Sequence, residues 1–189
     1  CVSTNDAVVH GIPSEYQFKE EDVVGIDCGV YYKGFHTDMA ETIEVKSEKL
    51  KGKSDKKKFL ETGRRALKEA IMVARAGNRA GHISKVIQDI IEKEGGYSIV
   101  RTLVGHGVGR QLHEEPEIPG FLRRAVSDTP KLLENMTVAI EVIYTMGKHD
   151  VLLADDGWTI RTKDGSLSGL FERTVAITQD SPIVLTSGG

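Results

Sequence analysis

At 189 residues, with 39% hydrophobic and 28% charged side chains, the chain can bury a sizeable core without covalent staples and is too apolar to be disordered. Its formal net charge of -3 excludes a globally basic nucleic-acid binder, and two cysteines, Cys1 and Cys28, exclude a disulfide framework. No apolar run reaches the roughly 18 residues of a membrane span.

The chain begins at Cys1 rather than at Met, and its first residues already read as part of a domain, so further chain is expected upstream. A single domain is expected over residues 1–186, with 187–189 as a flexible tail. Free thiols in a reducing cytoplasm are the expectation for both cysteines.

Residues 22–32 are rich in β-branched and aromatic side chains, and 35–45 repeat the pattern after Lys33-Gly34. This is a hairpin signal. If Tyr32 opposes Phe35, then Asp27 opposes Ala40 and Asp38 opposes Gly29. Side chains alternate, so Asp27 and Asp38 share a face, with Cα atoms roughly 7–8 Å apart. The apolar run Val23-Val24-Gly25-Ile26 suggests that Asp27 is buried. Two carboxylates brought to about 4 Å repel by about 4 kcal/mol at an effective dielectric near 20. They either stay apart on a solvated face or hold cations. His36 has the parity of Asp38 and is not excluded as a ligand. Cys28 faces the other way, as a core thiol would.

Residues 46–58 carry seven lysines and read as a solvated loop entering a helix, with contact to ribosomal RNA as the second reading. Phe59, Gly63, Ala66, Leu67, Ala70 and Ala74 recur at helical spacing, with Ser54 as a cap and Gly77 as a stop. Ile83, Val86, Ile87, Ile90 and Ile91 predict a second helix ending at Gly95. Strands are expected again at 97–104, 136–145, 157–162 and 170–178. Strands, two helices, then strands predict an α+β domain with helices on one face of an antiparallel sheet.

The segment 105–116 surrounds His106 with three glycines and places His113 farther on. Glycines let the backbone approach closely enough to present an imidazole to a metal or substrate. Glu141 and Glu172 each sit in a strand apolar on both faces, where a carboxylate must be paired or metal-bound. Arg173 projects opposite to Glu172; a salt bridge to another basic residue remains open. Four carboxylates and one imidazole would balance two divalent cations, and this donor set suits Mn, Fe, Co or Zn.

The order Cys1 to Pro13, Ile26-Asp27-Cys28-Gly29, Phe35-His36-Thr37-Asp38, Gly105-His106-Gly107, His113-Glu114-Glu115-Pro116, Asp156-Gly157-Trp158-Thr159, Ile140-Glu141 and Phe171-Glu172 resembles the type I methionine aminopeptidases over nearly the whole chain. The resemblance implies the pita-bread fold, with two pseudo-symmetric halves. It implies two divalent metals (Co, Mn, Fe or Zn) on Asp27, Asp38, His106, Glu141 and Glu172, bridged by Asp38 and Glu172. It implies catalytic His10, His113 and Glu141, and a substrate pocket holding Cys1, Leu112 and Trp158 beside the two histidines. The implied reaction is removal of the initiator methionine from nascent chains by a metal-bridging hydroxide, before a small second residue. A cytoplasmic monomer working on nascent N-termini, with ribosome contact and without DNA or membrane partners, goes with it. Two positions depart from the family pattern: Val142 follows Glu141 where Pro is usual, and Leu112 precedes His113 where Phe is frequent. The rival readings are a proline-specific aminopeptidase or dipeptidase on the same fold and a non-catalytic binding module.

Overall fold

A computed structural model describes residues 1–45 and 55–186. The 187–189 tail, the Ser54 cap and most of the lysine-rich stretch lie outside the described residues.

In chain order the strands are β1 (Val2–Thr4), β2 (Ala7–Val9), β3 (Val23–Tyr32) and β4 (Phe35–Glu44). Helices α1 (Asp55–Met72) and α2 (Ala80–Gln88) follow, the second running on through a π-helical turn at Asp89–Glu94. Then come β5 (Ser98–Ile99), β6 (Gly105–Gly107), β7 (Glu114–Ile118), β8 (Thr137–Thr145), β9 (Val151–Leu153), β10 (Ile160–Thr162), β11 (Ser168–Ala176) and β12 (Ile183–Val184). The main sheet has the order β1-β3-β4-β11-β8-β6-β7, with β12 on β11 and β5 on β8. A small second sheet has the order β2-β10-β9.

The β3–β4 hairpin has the expected register: Tyr32 opposes Phe35, Asp27 opposes Ala40 and Gly29 opposes Asp38. Lys33 and Gly34 have φ of 49° and 88°. Two left-handed residues make the turn whose twist matches the strands.

Helix α1 buries Phe59, Gly63, Ala66 and Leu67 against the back of β8 and β11. Gly63 sets the approach: a Cβ there would lie 2.4 Å from Tyr144 Oη and 2.5 Å from Phe171 Cε2. Ile83, Ile87 and Ile91 of the second helix join the same core. A smaller cluster on the front of the sheet packs Val8, Val9 and Val100 on Ala40, Ile143 and Leu170.

Four local expectations need correction. Helix α1 stops at Met72, short of Ala74 and Gly77. Asn78 Nδ2 takes the Val73 carbonyl at 2.7 Å, and the N–H of Ala76 donates to Thr178 at 2.9 Å, so tertiary partners end the helix. Of the expected strand 97–104 only β5, Ser98–Ile99, forms. Cys28 is exposed, not a core thiol. The helices lie behind β8 and β11, and among the described residues none covers the back of β3, where Ile26 and Val30 are about half exposed. Asp27, on the front face, is half-buried rather than buried.

Candidate metal centre

The ladders place Asp27, Ala40, Glu172 and Glu141 in one row across four neighbouring strands: Asp27 opposes Ala40, Ala40 opposes Glu172, and Glu172 opposes Glu141. Opposed residues point to the same face. Asp38, two residues from Ala40, shares that face. So does His106, because it opposes Ala139, two residues from Glu141. The sheet thus delivers all five expected ligands to its front, away from the helices. Ala40 matters as a spacer, since its methyl leaves the centre of the row open.

One ligand atom each from Asp38, His106 and Glu172 lies within 4.8 Å of the others. His106 Nε2 is 3.5 Å from Glu141 Oε1. His106 Nδ1 is 2.8 Å from the Gly107 carbonyl, which fixes the proton on Nδ1. Nε2 therefore turns a lone pair toward Glu141, an arrangement that a cation between them, or a proton on Glu141, would satisfy. Val142 does not disturb Glu141: the β8–β11 register is unbroken from Thr145 opposite Ser168 to Thr137 opposite Ala176.

The electrostatics suit a cation. Glu172 is 3% exposed. Burial first, then the charges of Glu141, Asp38 and Asp27, push its carboxyl well above the usual range. Burial, then Asp38 and Asp27, do the same to Glu141. Burial and the neighbouring Asp27 raise Asp38 to about 6. Burial lowers His106, favouring the neutral, ligating imidazole. Four acids forced together without a basic partner at the centre fit divalent ions, and the donor set fits no structural zinc site of the Cys/His kind. Arg173 is no such partner. Its guanidinium is behind the sheet, bonded to Glu41 Oε2 at 2.8 Å and to the Ala40 carbonyl at 2.9 Å.

His36 does not join the cluster. Its ring lies 4.6 Å from Tyr31, and its N–H donates to the Gly109 carbonyl at 2.7 Å. It ties the hairpin to the His106 loop instead.

His113 is exposed, with its ring 4.4 Å from that of His106. Both line an open cleft of about 750 Å³ with Glu114 and Arg110. Leu112 reaches over Gly29, its Cδ1 3.7 Å from where a Cβ would stand. His10 and Trp158 form a pair of their own with ring centroids 5.5 Å apart. His10 has φ of 60°, and its carbonyl accepts from Thr159 Oγ1 at 3.4 Å. Cys1 is exposed; its carbonyl accepts the Asp27 N–H at 3.1 Å, which puts it at the end of the acidic row.

Sequence reasoning missed Thr42 and Thr174. The Thr174 hydroxyl takes the Asp38 N–H at 2.8 Å and donates to the Asp38 carbonyl at 2.8 Å. The signal was available: a hydroxyl two residues from Glu172 in an apolar strand must find a partner.

Comparison with known proteins agrees with this geometry. The model of metallopeptidase family M24 matches residues 1–179. The methionine aminopeptidase of Clostridium perfringens is 42% identical over 186 residues, covering 98% of this chain and 72% of its own length. That of Aquifex aeolicus is 43% identical over 187 residues, covering 98% and 70%. Among solved structures, the Thermotoga maritima methionine aminopeptidase superposes with a TM-score of 0.92 at 38% identity, over 100% of this chain and 73% of that one. The prolidase of Pyrococcus furiosus gives 0.75 at 26% identity, over 100% and 48%. The fold is the pita-bread fold that these enzymes share.

Proposed function

We propose a function from one premise: the chain belongs to metallopeptidase family M24. It is a metal-dependent aminopeptidase that removes N-terminal methionine from polypeptides. The observation that carries this reading is the acidic row with His106 beside it, five donors on one face of one sheet.

Asp27, Asp38, His106, Glu141 and Glu172 would hold two divalent ions, of Co, Mn, Fe or Zn. When bound, such ions supply Lewis acidity and lower the pKa of water toward neutrality, so that a nucleophile exists at pH 7. The chain's own groups do the rest. Glu141, ionised once cations offset the burial and the acidic neighbours that raise its pKa, would accept the proton of the attacking water at a carboxylate oxygen and pass it to the departing amine. His113, exposed in the cleft, donates a hydrogen bond to the oxygen of the scissile carbonyl as charge develops there. His10, fixed by its backbone angle and by Trp158, contacts the nitrogen of the departing amine. Leu112, Trp158 and Cys1 line the pocket for the methionine side chain. A small residue in second position is the preferred context.

Nascent chains are the substrates in this reading, met near the ribosome by a monomer in the cytoplasm. No helix among the described residues is long and apolar enough to cross a membrane.

The test is metal content together with methionine release from a Met-Ala peptide, against a peptide with proline second. About two ions per chain and release only from Met-Ala support the reading. Cleavage of the proline peptide alone moves the chain to the prolidase branch. Two ions without any release leave the site as a non-catalytic metal-binding module.

A further inference from the structure

The acidic row crosses a seam. β4 and β11 register over only two pairs, Ala40 with Glu172 and Met39 with Arg173. Extended by two residues on either side, that register sets Asp38 against Thr174 and Thr42 against Leu170. At both places a threonine hydroxyl stands between the backbones. Thr174 Oγ1 accepts the N–H of Asp38 and donates to its carbonyl, each at 2.8 Å. Thr42 Oγ1 accepts the N–H of Leu170 at 2.9 Å and donates to its carbonyl at 2.7 Å. Both threonines are buried, at 0% and 1% exposure. The seam has an approximate local two-fold centred on the Ala40–Glu172 pair, with one hydroxyl bridge on each side.

The two bridges differ in what they hold. The Thr42 bridge ends on Leu170, which carries no ligand. The Thr174 bridge ends on Asp38 and starts two residues from Glu172, so it links the main chains of two of the proposed ligand carboxylates, which lie together with His106. A hydroxyl that bonds both the N–H and the carbonyl of one residue fixes that peptide's height and tilt. Site geometry tolerates only a few tenths of an ångström of drift, so the group that fixes the main chain of a ligand carboxylate would act on metal binding.

We infer that Thr174 is a positioning residue for the metal pair, setting the separation of Asp38 and Glu172 through its hydroxyl bridge, while Thr42 is the matching bridge with a purely structural role. This rests on the metal-site reading given above.

The experiment uses the whole chain, stripped of metal, with Thr174→Val, Thr174→Ser and Thr42→Val. Each is titrated calorimetrically with Mn(II) alone, and thermal unfolding of the metal-free form is recorded. Thr174→Val should weaken Mn(II) binding by tenfold or more, and Thr174→Ser, which keeps the hydroxyl, should stay within about threefold of wild type. Thr42→Val should lower the melting temperature as Thr174→Val does, yet keep wild-type affinity. Equal loss of affinity in the two valine variants, or none in Thr174→Val, overturns the proposal. If Thr174→Val does not fold, Thr174→Ala and Thr42→Ala replace the valine pair with the same criteria. Wild-type protein that binds no Mn(II), Co(II) or Zn(II) overturns the metal-site reading and this inference with it; normal wild-type binding with indifferent variants overturns the inference alone.

Discussion

Glu141 and Glu172 are direct cross-strand partners in the β8–β11 ladder. Burial raises both in pKa, with Asp38 and Asp27 adding to each and Glu141 adding to Glu172. Ionising this pair is therefore costly in the protein without a cation. Glu172→Gln should abolish metal binding yet stabilise the stripped protein at pH 7, by about 1–3 kcal/mol. Denaturant unfolding in the presence of chelator measures this; a stripped variant less stable than stripped wild type would count against that cost.

Asp38 makes the sign of the pH dependence explicit. Its folded carboxyl titrates near 6, against an ordinary value of 3.8. Between these values the folded state holds a proton that the unfolded state has lost, so stability is present below about 4 and is lost as pH rises through 6. The shift of about two units corresponds to about 3 kcal/mol at most. Other carboxylates, such as Asp164, pulled down to about 2 by hydrogen bonds from Lys148 and Ser166, have the opposite sign at lower pH. The relevant quantity is thus the difference between wild type and Asp38→Asn, each without metal. That difference should shift in favour of Asp38→Asn as pH is raised from 4 to 7. Metal affinity of the wild type should fall as pH drops below about 6, because protons compete for the same oxygens.

His113 and His106 touch ring to ring but differ in burial and role. His113→Ala should retain both metals and lose about 10²–10³ in kcat, the usual cost of one oxyanion donor. His106→Ala should lose metal instead. Metal analysis of purified variants beside steady-state kinetics separates the two, and metal loss in His113→Ala would reassign that residue.

Leu112 overhangs Gly29 at the rim of the acidic row. In the proposed pocket it contacts the methionine side chain and no reacting atom. Leu112→Ala should raise KM for methionyl peptides about tenfold while kcat changes little. A fall in kcat at constant KM would place it elsewhere.

Gly63 gives a prediction about stability alone. A Cβ at this position would meet Tyr144 Oη at 2.4 Å and the Phe171 ring at 2.5 Å. Gly63→Ala should cost about 1–3 kcal/mol through overpacking, despite the better helix propensity of alanine. Chemical denaturation reads it directly, and a stabilised variant would show that α1 can lift from the sheet without penalty.

The hairpin was legible in the sequence because a two-residue turn and a period of two fix both pairing and face from local information. The Asp27–Asp38 relationship follows from that. The pairing of Glu141 with Glu172 was not legible, since the order of distant strands is decided by packing rather than by pattern. Each glutamate could be singled out only as a costly charge in an apolar strand. His10 and Trp158 carried no local signal and came from resemblance alone. Cys28 was misread because facing away from the carboxylates was equated with facing the core, whereas among the described residues no helix covers the back of β3 at Ile26 and Val30. Thr42 and Thr174 escaped because a buried hydroxyl names its partner only once the strands are in place.

The hydroxyl bridge between Asp38 and Thr174 joins residues 136 positions apart in the chain. The bond needs β4 and β11, from opposite ends of the chain, to meet, so it is a contact of high sequence separation, the kind that slows folding. A chain emerging from its N-terminus exposes Asp27 and Asp38 long before Glu172 exists to share a cation with them. Until Glu141 and Glu172 have followed, the acidic row stays incomplete.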